Sequence, residues 1–416
     1  MKRVTILTGL ALAALAGVLF GAALRAPSVA RSASDNFTRV VLPVGQGPGS
    51  IAIADVNHDG HPDIIVANTG EGTVSVLLGD GRGNFRAAPG SPFPCNANPN
   101  DIAVADMNGD GNPDLVIANT GTPYITVLLG DGHGGFKPST HSPFATTSYP
   151  HVHGVAVGDF FGDGKPAVVT DSWGRSQILL IPSDGQGSLI LPGKTFRADL
   201  YSDSGVRAAD FTHDGHLDVV TIEQTFGSRG RPSGVGLMLG DGKGGFRRAP
   251  GSPFPAEGEP WEFTVADMNH DGNPDVVVVP YQRDLLDPAQ LGVTVLLGDG
   301  KGAFTKMKGS PFSLAGCRGP DRVATGDFNG DGYRDIAVAC AQNNKVMLYW
   351  GSKGGTFRIS SLDVETGWSG LAAADLTGDG KDDIIVSNYG PENGPENGPK
   401  HGTRPLAGTI TIFMSK

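Results

Sequence analysis

A nine-residue acidic motif sets the architecture of this chain. Its clearest copy is Asp106-Met107-Asn108-Gly109-Asp110-Gly111-Asn112-Pro113-Asp114, or D-x-N-x-D-G-x-x-D. The same frame, intact or worn, starts at Asp55, Asp106, Asp159, Asp210, Asp267, Asp327 and Asp375, at intervals of 51, 53, 51, 57, 60 and 48 residues. A period near 50 residues marks a repeat protein, in which each repeat is one unit that buries its apolar surface only against its neighbours.

Oxygen ligands on alternate residues of a tight loop converge on a hard cation. Carboxylates at positions 1, 5 and 9, an amide or hydroxyl oxygen at position 3 and a backbone carbonyl at position 7 make a calcium-type donor set, and the glycine at position 6 permits the turn. The six loops expected to hold Ca²⁺ are Asp55, Asn57, Asp59, His61 and Asp63; Asp106, Asn108, Asp110, Asn112 and Asp114; Asp210, Thr212, Asp214, His216 and Asp218; Asp267, Asn269, Asp271, Asn273 and Asp275; Asp327, Asn329, Asp331, Tyr333 and Asp335; and Asp375, Thr377, Asp379, Lys381 and Asp383. Position 7 serves in each through its main chain. The copy at Asp159 carries Phe161 and Ala167 at positions 3 and 9, and no ion is expected there. Cys and His do not recur at the ligand positions, which argues against zinc. Position 12 is Val66 or Ile117 rather than Glu, and strand patterns flank the motif, so it is not an EF-hand. The alternative is an ion-free turn rich in Asp, Asn and Gly. Against it stands the mutual repulsion of three carboxylates on one turn.

Each repeat reads as four strands. In the first they are Ser50–Asp55, Asp63–Asn68, Thr73–Leu78 and Asn84–Ala88, followed by a connection containing Gly90-Ser91-Pro92-Phe93. GSPF recurs at 251 and 309, and SPF at 142. The second strand is apolar at consecutive positions (Ile64-Ile65-Val66), so both of its faces are covered. The first alternates Ile with Ala, which suits a crowded centre. Sheets of this kind pack radially, and seven of them predict an all-β, seven-bladed β-propeller of four-stranded antiparallel blades. The last repeat has only three strands, at 371–375, 383–387 and 409–413. The segment Asn36–Pro43 is therefore expected to supply the fourth and to hide an open edge.

Residues 1–34 fall outside the repeats and 35–416 form one domain. Lys2-Arg3, an uncharged run from Val4 to Leu24 and small residues at Ser28-Val29-Ala30 form a secretory signal, with an uncleaved anchor as the alternative. A secreted, periplasmic or cell-surface location is expected. That compartment permits a disulfide among Cys95, Cys317 and Cys340. Cys317–Cys340 flank two strands joined by the sixth loop, while Cys340 as a simple buried apolar residue is the other reading. A net charge of −11 argues against nucleic acid and anionic membrane surfaces.

These acidic loops resemble those of the FG-GAP/VCBS repeat proteins, whose best-known relatives are the propeller heads of integrin α subunits. The resemblance covers residues 36–416. It implies a seven-bladed propeller with Ca²⁺ in the loops between first and second strands. It leaves function open, because this fold hosts adhesins, lectins and accessory domains of enzymes.

Glycine turns such as Gly79-Asp80-Gly81-Arg82-Gly83 sit between strands and read as hairpin turns rather than phosphate cradles. His58, His61, His213 and His216 read as solvated loop residues. His151 and His153 alternate at the start of a strand in the blade with the broken loop, and with Asp171 they are the candidates for a catalytic cluster. The long insertions 223–234, 280–292 and 389–408, with Trp173, Trp261 and Trp368, fall on the rim opposite the acidic loops. The expectation is a non-enzymatic, monomeric binding or adhesion module for an extracellular protein or glycan. A lectin-like carbohydrate binder is the alternative, and a propeller hydrolase or lyase ranks below it.

Overall fold

The computed structural model describes residues 36–147, 152–172, 177–197, 205–224, 233–281, 292–364, 370–388 and 408–416. The leader, most of the three long insertions, His151, Trp173 and Trp368 lie outside these residues.

Every described element is a β-strand, and the strands form seven antiparallel sheets. The first contains Pro48–Ala54, Asp63–Asn68, Thr73–Gly79 and Phe85–Ala87 in spatial order. In the other six the first strands are Pro99–Ala105, Val155–Gly158, Val206–Ala209, Glu259–Ala266, Pro320–Gly326 and Leu371–Ala374. These first strands lie side by side around one axis, and that of the seventh sheet packs beside that of the first. The molecule is a seven-bladed propeller. In the seventh sheet, Phe37–Val44 runs antiparallel to Gly408–Ser415, with Phe37 opposite Ser415 and Val44 opposite Gly408.

The second strands explain how the ring holds together. Ile64 and Val66 pack against Ile385, Ile410 and Ile412 of the seventh sheet. Ile65, between them, packs with Leu115 and Ile117 of the second. A strand with a neighbouring sheet on each face has no polar side, so its consecutive apolar residues are all fully buried. Burial of each such side chain stabilises the fold by about 1.5–3 kcal/mol, and the stabilisation belongs to the interface between blades.

Two features go beyond the sequence reading. Phe93–Pro94 pairs with the outer end of the third strand, as do Phe144–Ala145, Phe254–Pro255 and Phe312–Ser313, so four sheets gain a short extra strand from the SPF segment. In each the serine hydroxyl accepts a third-strand amide: Val76 to Ser91, Val127 to Ser142, Leu237 to Ser252 and Val295 to Ser310. The last residue of the second strand ties down neighbouring chain by varied means. Asn119 donates to the carbonyls of Cys95 and Ala97, Glu223 pairs with Arg248, and Cys340 forms a disulfide with Cys317. Cys95 is a buried free thiol whose pKa burial pushes up to about 12, so it stays protonated.

Candidate functional site

The acidic motifs join first to second strands at one end of the central channel. Their folding follows from local hydrogen bonding. The carboxylate at position 1 accepts the position-6 glycine amide in every copy, as Gly60 to Asp55 at 2.8 Å and Gly332 to Asp327 at 2.8 Å. The position-5 carboxylate accepts the position-7 amide, as His61 to Asp59 and Asn273 to Asp271. Position 4 takes a left-handed backbone, filled by Gly or by His58, His213 and His270.

Position 9 is of another kind. Asp63, Asp114, Asp218, Asp275, Asp335 and Asp383 are fully buried. One oxygen of each accepts the amide of position 2, the other an amide at the end of the third strand. For Asp335 these are Phe328 at 2.9 Å and Gly351 at 2.6 Å; for Asp114 they are Met107 and Gly130, both at 2.8 Å. Desolvation raises all six carboxyls, and the aspartates at positions 5 and 1 of the same loop raise them further against the pull of the amides. The result is about 6 for Asp114, Asp218, Asp275 and Asp383 and about 7 for Asp335.

This donor set fits a hard divalent cation. It is all oxygen, its carboxylates repel one another, and in the fourth loop the Thr212 hydroxyl lies 3.5 Å from both Asp210 and Asp218. Among the described residues, no three acidic, His or Cys side chains stand as a closed ligand cluster. In the third copy Ala167 is buried at position 9, and Ser183 donates its hydroxyl to the Pro166 carbonyl at the strand end. Its position-1 contact is nevertheless retained, Gly164 to Asp159 at 2.9 Å.

At the other end of the channel the first strands begin, and charge collects there. Arg207 Nη1 lies 3.1 Å from Asp101 Oδ2 and its Nη2 3.6 Å from Glu262 Oε1. Arg322 Nη1 lies 3.5 Å from Glu262 Oε2 and 3.3 Å from Asp321 Oδ1, which also accepts the Trp261 indole N–H at 2.9 Å. Beside this belt, Asp171 accepts the amides of His153 and Gly154 and stands 3.3 Å from His153 Nδ1. Asp101, His153, Arg207, Trp261, Glu262 and Arg322 all line a cavity of about 860 Å³ that runs down the axis between the seven first strands.

The FG-GAP-like repeat family matches residues 55–117, 106–170, 226–278 and 327–386, more than half of the chain. The chain belongs to the FG-GAP-like repeat family. Its curated relatives include phosphatidylinositol-glycan-specific phospholipase D of Rattus norvegicus, 31% identical over 162 residues (31% of this chain, 18% of the relative). Integrin alpha-7 of Homo sapiens is 31% identical over 144 residues, covering 31% of this chain and 12% of the integrin. The chain thus spans less than a fifth of the length of either relative. Among solved structures, BBS1N in complex with ARL6DN aligns with a TM-score of 0.57 at 12% identity, covering 93% of this chain and 98% of that one, a likeness of fold.

In this FG-GAP-like ring, the loop histidines do more than face solvent. His58 Nε2 lies 3.1 Å from Asn112 Oδ1 and His213 Nε2 2.8 Å from Asn273 Oδ1, so position 4 of one loop meets position 7 of the next. The glycine turns also bridge blades, since Gly134 donates to Val56 O, Gly187 to Met107 O and Gly244 to Phe160 O. His153 and Asp171 meet, as do Trp261 and the channel. The belt residues Asp101, Glu262 and Arg322 escaped sequence reasoning. Each lies five residues before the first Asp of its loop, in Pro99-Asn100-Asp101, Pro260-Trp261-Glu262 and Pro320-Asp321-Arg322, a spacing that aligned repeats would have exposed.

Proposed function

We propose that this chain is a secreted, calcium-stabilised binding module that engages an extracellular ligand at the channel end opposite its acidic loops. The observation that carries the calcium reading is the six buried position-9 aspartates, raised by burial first and then by two further carboxylates of the same loop. A divalent ion relieves that repulsion and makes the ionised form the stable one. In each loop positions 1, 3, 5 and 9 would hold the ion through side chains and position 7 through its carbonyl. The fold shared with adhesion receptors and the aromatic and charged mouth of the channel support recognition rather than turnover.

The test is calcium stoichiometry and melting of the metal-stripped protein. About six ions are expected per chain, and saturating Ca²⁺ should raise stability, each site by about 2.7 kcal/mol at a hundred times its Kd. A melting curve indifferent to chelator and Ca²⁺ would sink the reading. A hydrolytic or lyase reading rests on His153, oriented by Asp171 at the channel wall. Turnover lost in His153→Ala but retained in metal-loaded wild type would favour it.

A further inference from the structure

We infer that the channel mouth is a binding site for a uronic-acid unit of an acidic glycan, with Arg322 and Arg207 taking the carboxylate and Trp261 the sugar face. This rests on the binding-module reading above and names its ligand. Register shifts fall between Pro99 and Asp101, Pro260 and Glu262, and Pro320 and Arg322, with a further one between Pro48 and Ile51, so four first strands begin with a β-bulge. Bulges re-aim side chains. The extra residue turns sideways to a neighbouring blade, Asn100 donating to the His153 carbonyl at 3.0 Å and Trp261 to Asp321. The next residue, Asp101, Glu262 or Arg322, lines the channel. At the corresponding point of the third and fourth strands stand Gly154 and Gly205. A Cβ on Gly154 would lie 2.4 Å from Gly205 Cα, so only glycine lets these strands meet beneath the reach of Arg207 to Asp101.

Most acceptors of the belt are engaged, Asp321 Oδ2 being buried without a partner, and one donor edge is open. Asp101 accepts from Ile102, Val155 and Arg207, and Glu262 faces both arginines. Arg322, by contrast, makes its contacts to Asp321 and Glu262 through Nη1. Its Nε and Nη2, one edge of the guanidinium, have no protein partner among the described residues, and the side chain keeps 21% of its exposure. A guanidinium edge takes a carboxylate through two parallel hydrogen bonds. Three carboxylates, Asp101, Glu262 and Asp321, stand with two arginines, a net −1. The unpartnered Asp321 Oδ2 is buried, and a dianion such as phosphate meets more repulsion than a single carboxylate does. The ring of Trp261 supplies the apolar platform that a sugar needs and a bare carboxylate does not. Asn100, Thr120 and Ser50, also on the channel lining, offer oxygens to hydroxyls. Below the mouth Ala52, Ala103, Ala208, Ala324 and Ala372 keep the channel open. The volume, about 860 Å³, falls in the range of small-molecule pockets.

The test is calorimetric titration of the full calcium-loaded chain with galacturonic-acid trimer, its methyl ester, and an acidic peptide. Saturable binding of the free acid is expected, with the ester at least about tenfold weaker, the loss of a charge-assisted pair. Arg322→Lys keeps the positive charge beside Asp321 and Glu262 but not the two-pronged edge. It should weaken the acid at least about tenfold while leaving the calcium-loaded melting temperature unchanged. Trp261→Phe, which retains a ring, should bind better than Trp261→Ala. No binding of the trimer, equal binding of acid and ester, preference for the peptide, or wild-type affinity in Arg322→Lys would each overturn the proposal. Calcium stoichiometry measured on the same samples separates this failure from failure of the calcium reading.

Discussion

The third acidic loop carries Phe161 and Ala167 where the sixth carries Asn329 and Asp335, yet the two turns fold alike. Both hold position 1 on the position-6 glycine, Gly164 to Asp159 at 2.9 Å and Gly332 to Asp327 at 2.8 Å. Both place position 5 on the position-7 amide, Lys165 to Asp163 and Tyr333 to Asp331. The turn is therefore a property of Asp, Gly and the backbone, and its shape says nothing about an ion. What separates the loops is buried charge. Asp335 is enclosed and pushed up to about 7 by burial and by Asp331 and Asp327. The third loop buries a methyl group at that point and closes the strand end with the Ser183 hydroxyl. The protein has two ways of finishing this corner, and only one of them creates a charge that wants a counter-ion.

The largest expected effect follows from the two amides that Asp335 satisfies. Asp335→Ala leaves Phe328 N and Gly351 N buried without an acceptor, at about 1–3 kcal/mol each, and should destabilise the protein even in chelator. The same substitution should remove one bound ion. If Asp335→Ala melts like wild type in chelator, the carboxylate is not the structural bracket described here. A smaller effect is expected from pH. Carboxyls raised in the folded state hold protons that the unfolded chain has released, so stability falls as pH rises. For the metal-stripped protein the loss should run from about 4, the ordinary aspartate value, up to about 6–7, where the position-9 groups ionise. Carboxyls held low, such as Asp110, which accepts the Asn112 amide, titrate below that window and contribute nothing within it. Calcium should flatten the slope, and urea melts at pH 4, 5.5 and 7 with and without the ion measure it. A rising slope in chelator would contradict the buried-charge argument.

The propeller was legible because its signals are local and repeated. The spacing of the aspartates, the apolar run Ile64-Ile65-Val66 and the glycine turns each state one physical requirement in repeat after repeat, and the observed second strand matches Asp63–Asn68. The charged belt was not legible in the same way. Arg207 reaches Asp101 across 106 residues of sequence, and the pairing exists only because Gly154 and Gly205 thin the strands between them. The bulges that aim Trp261 and Glu262 depend on which residues face each other across strands, a matter of register that a prolyl strand start hints at but does not fix. The bonds from His58 to Asn112 and from His213 to Asn273 likewise join neighbouring repeats, and no single repeat contains both partners.

The smallest expected change is also the sharpest, because it converts one side of the comparison into the other. Phe161→Asn with Ala167→Asp gives the third loop the side chains of the second and sixth. Positions 1 and 5 already point as they do elsewhere, so the donors missing from that corner are the two restored. The new carboxylate meets the Phe160 amide, the counterpart of Phe328 N, at a strand end where the Ser183 hydroxyl already donates to Pro166 O. It has to share that corner with the Ser183 side chain, where Asp335 faces a glycine, and its affinity for calcium should be the weakest of the set. The double variant should bind one ion more than wild type, seen by titration as an added low-affinity step, and should be less stable than wild type in chelator. An unchanged stoichiometry at saturating Ca²⁺ would mean that the side chain at the strand end, and not only the oxygen count, decides whether a corner of this ring holds an ion.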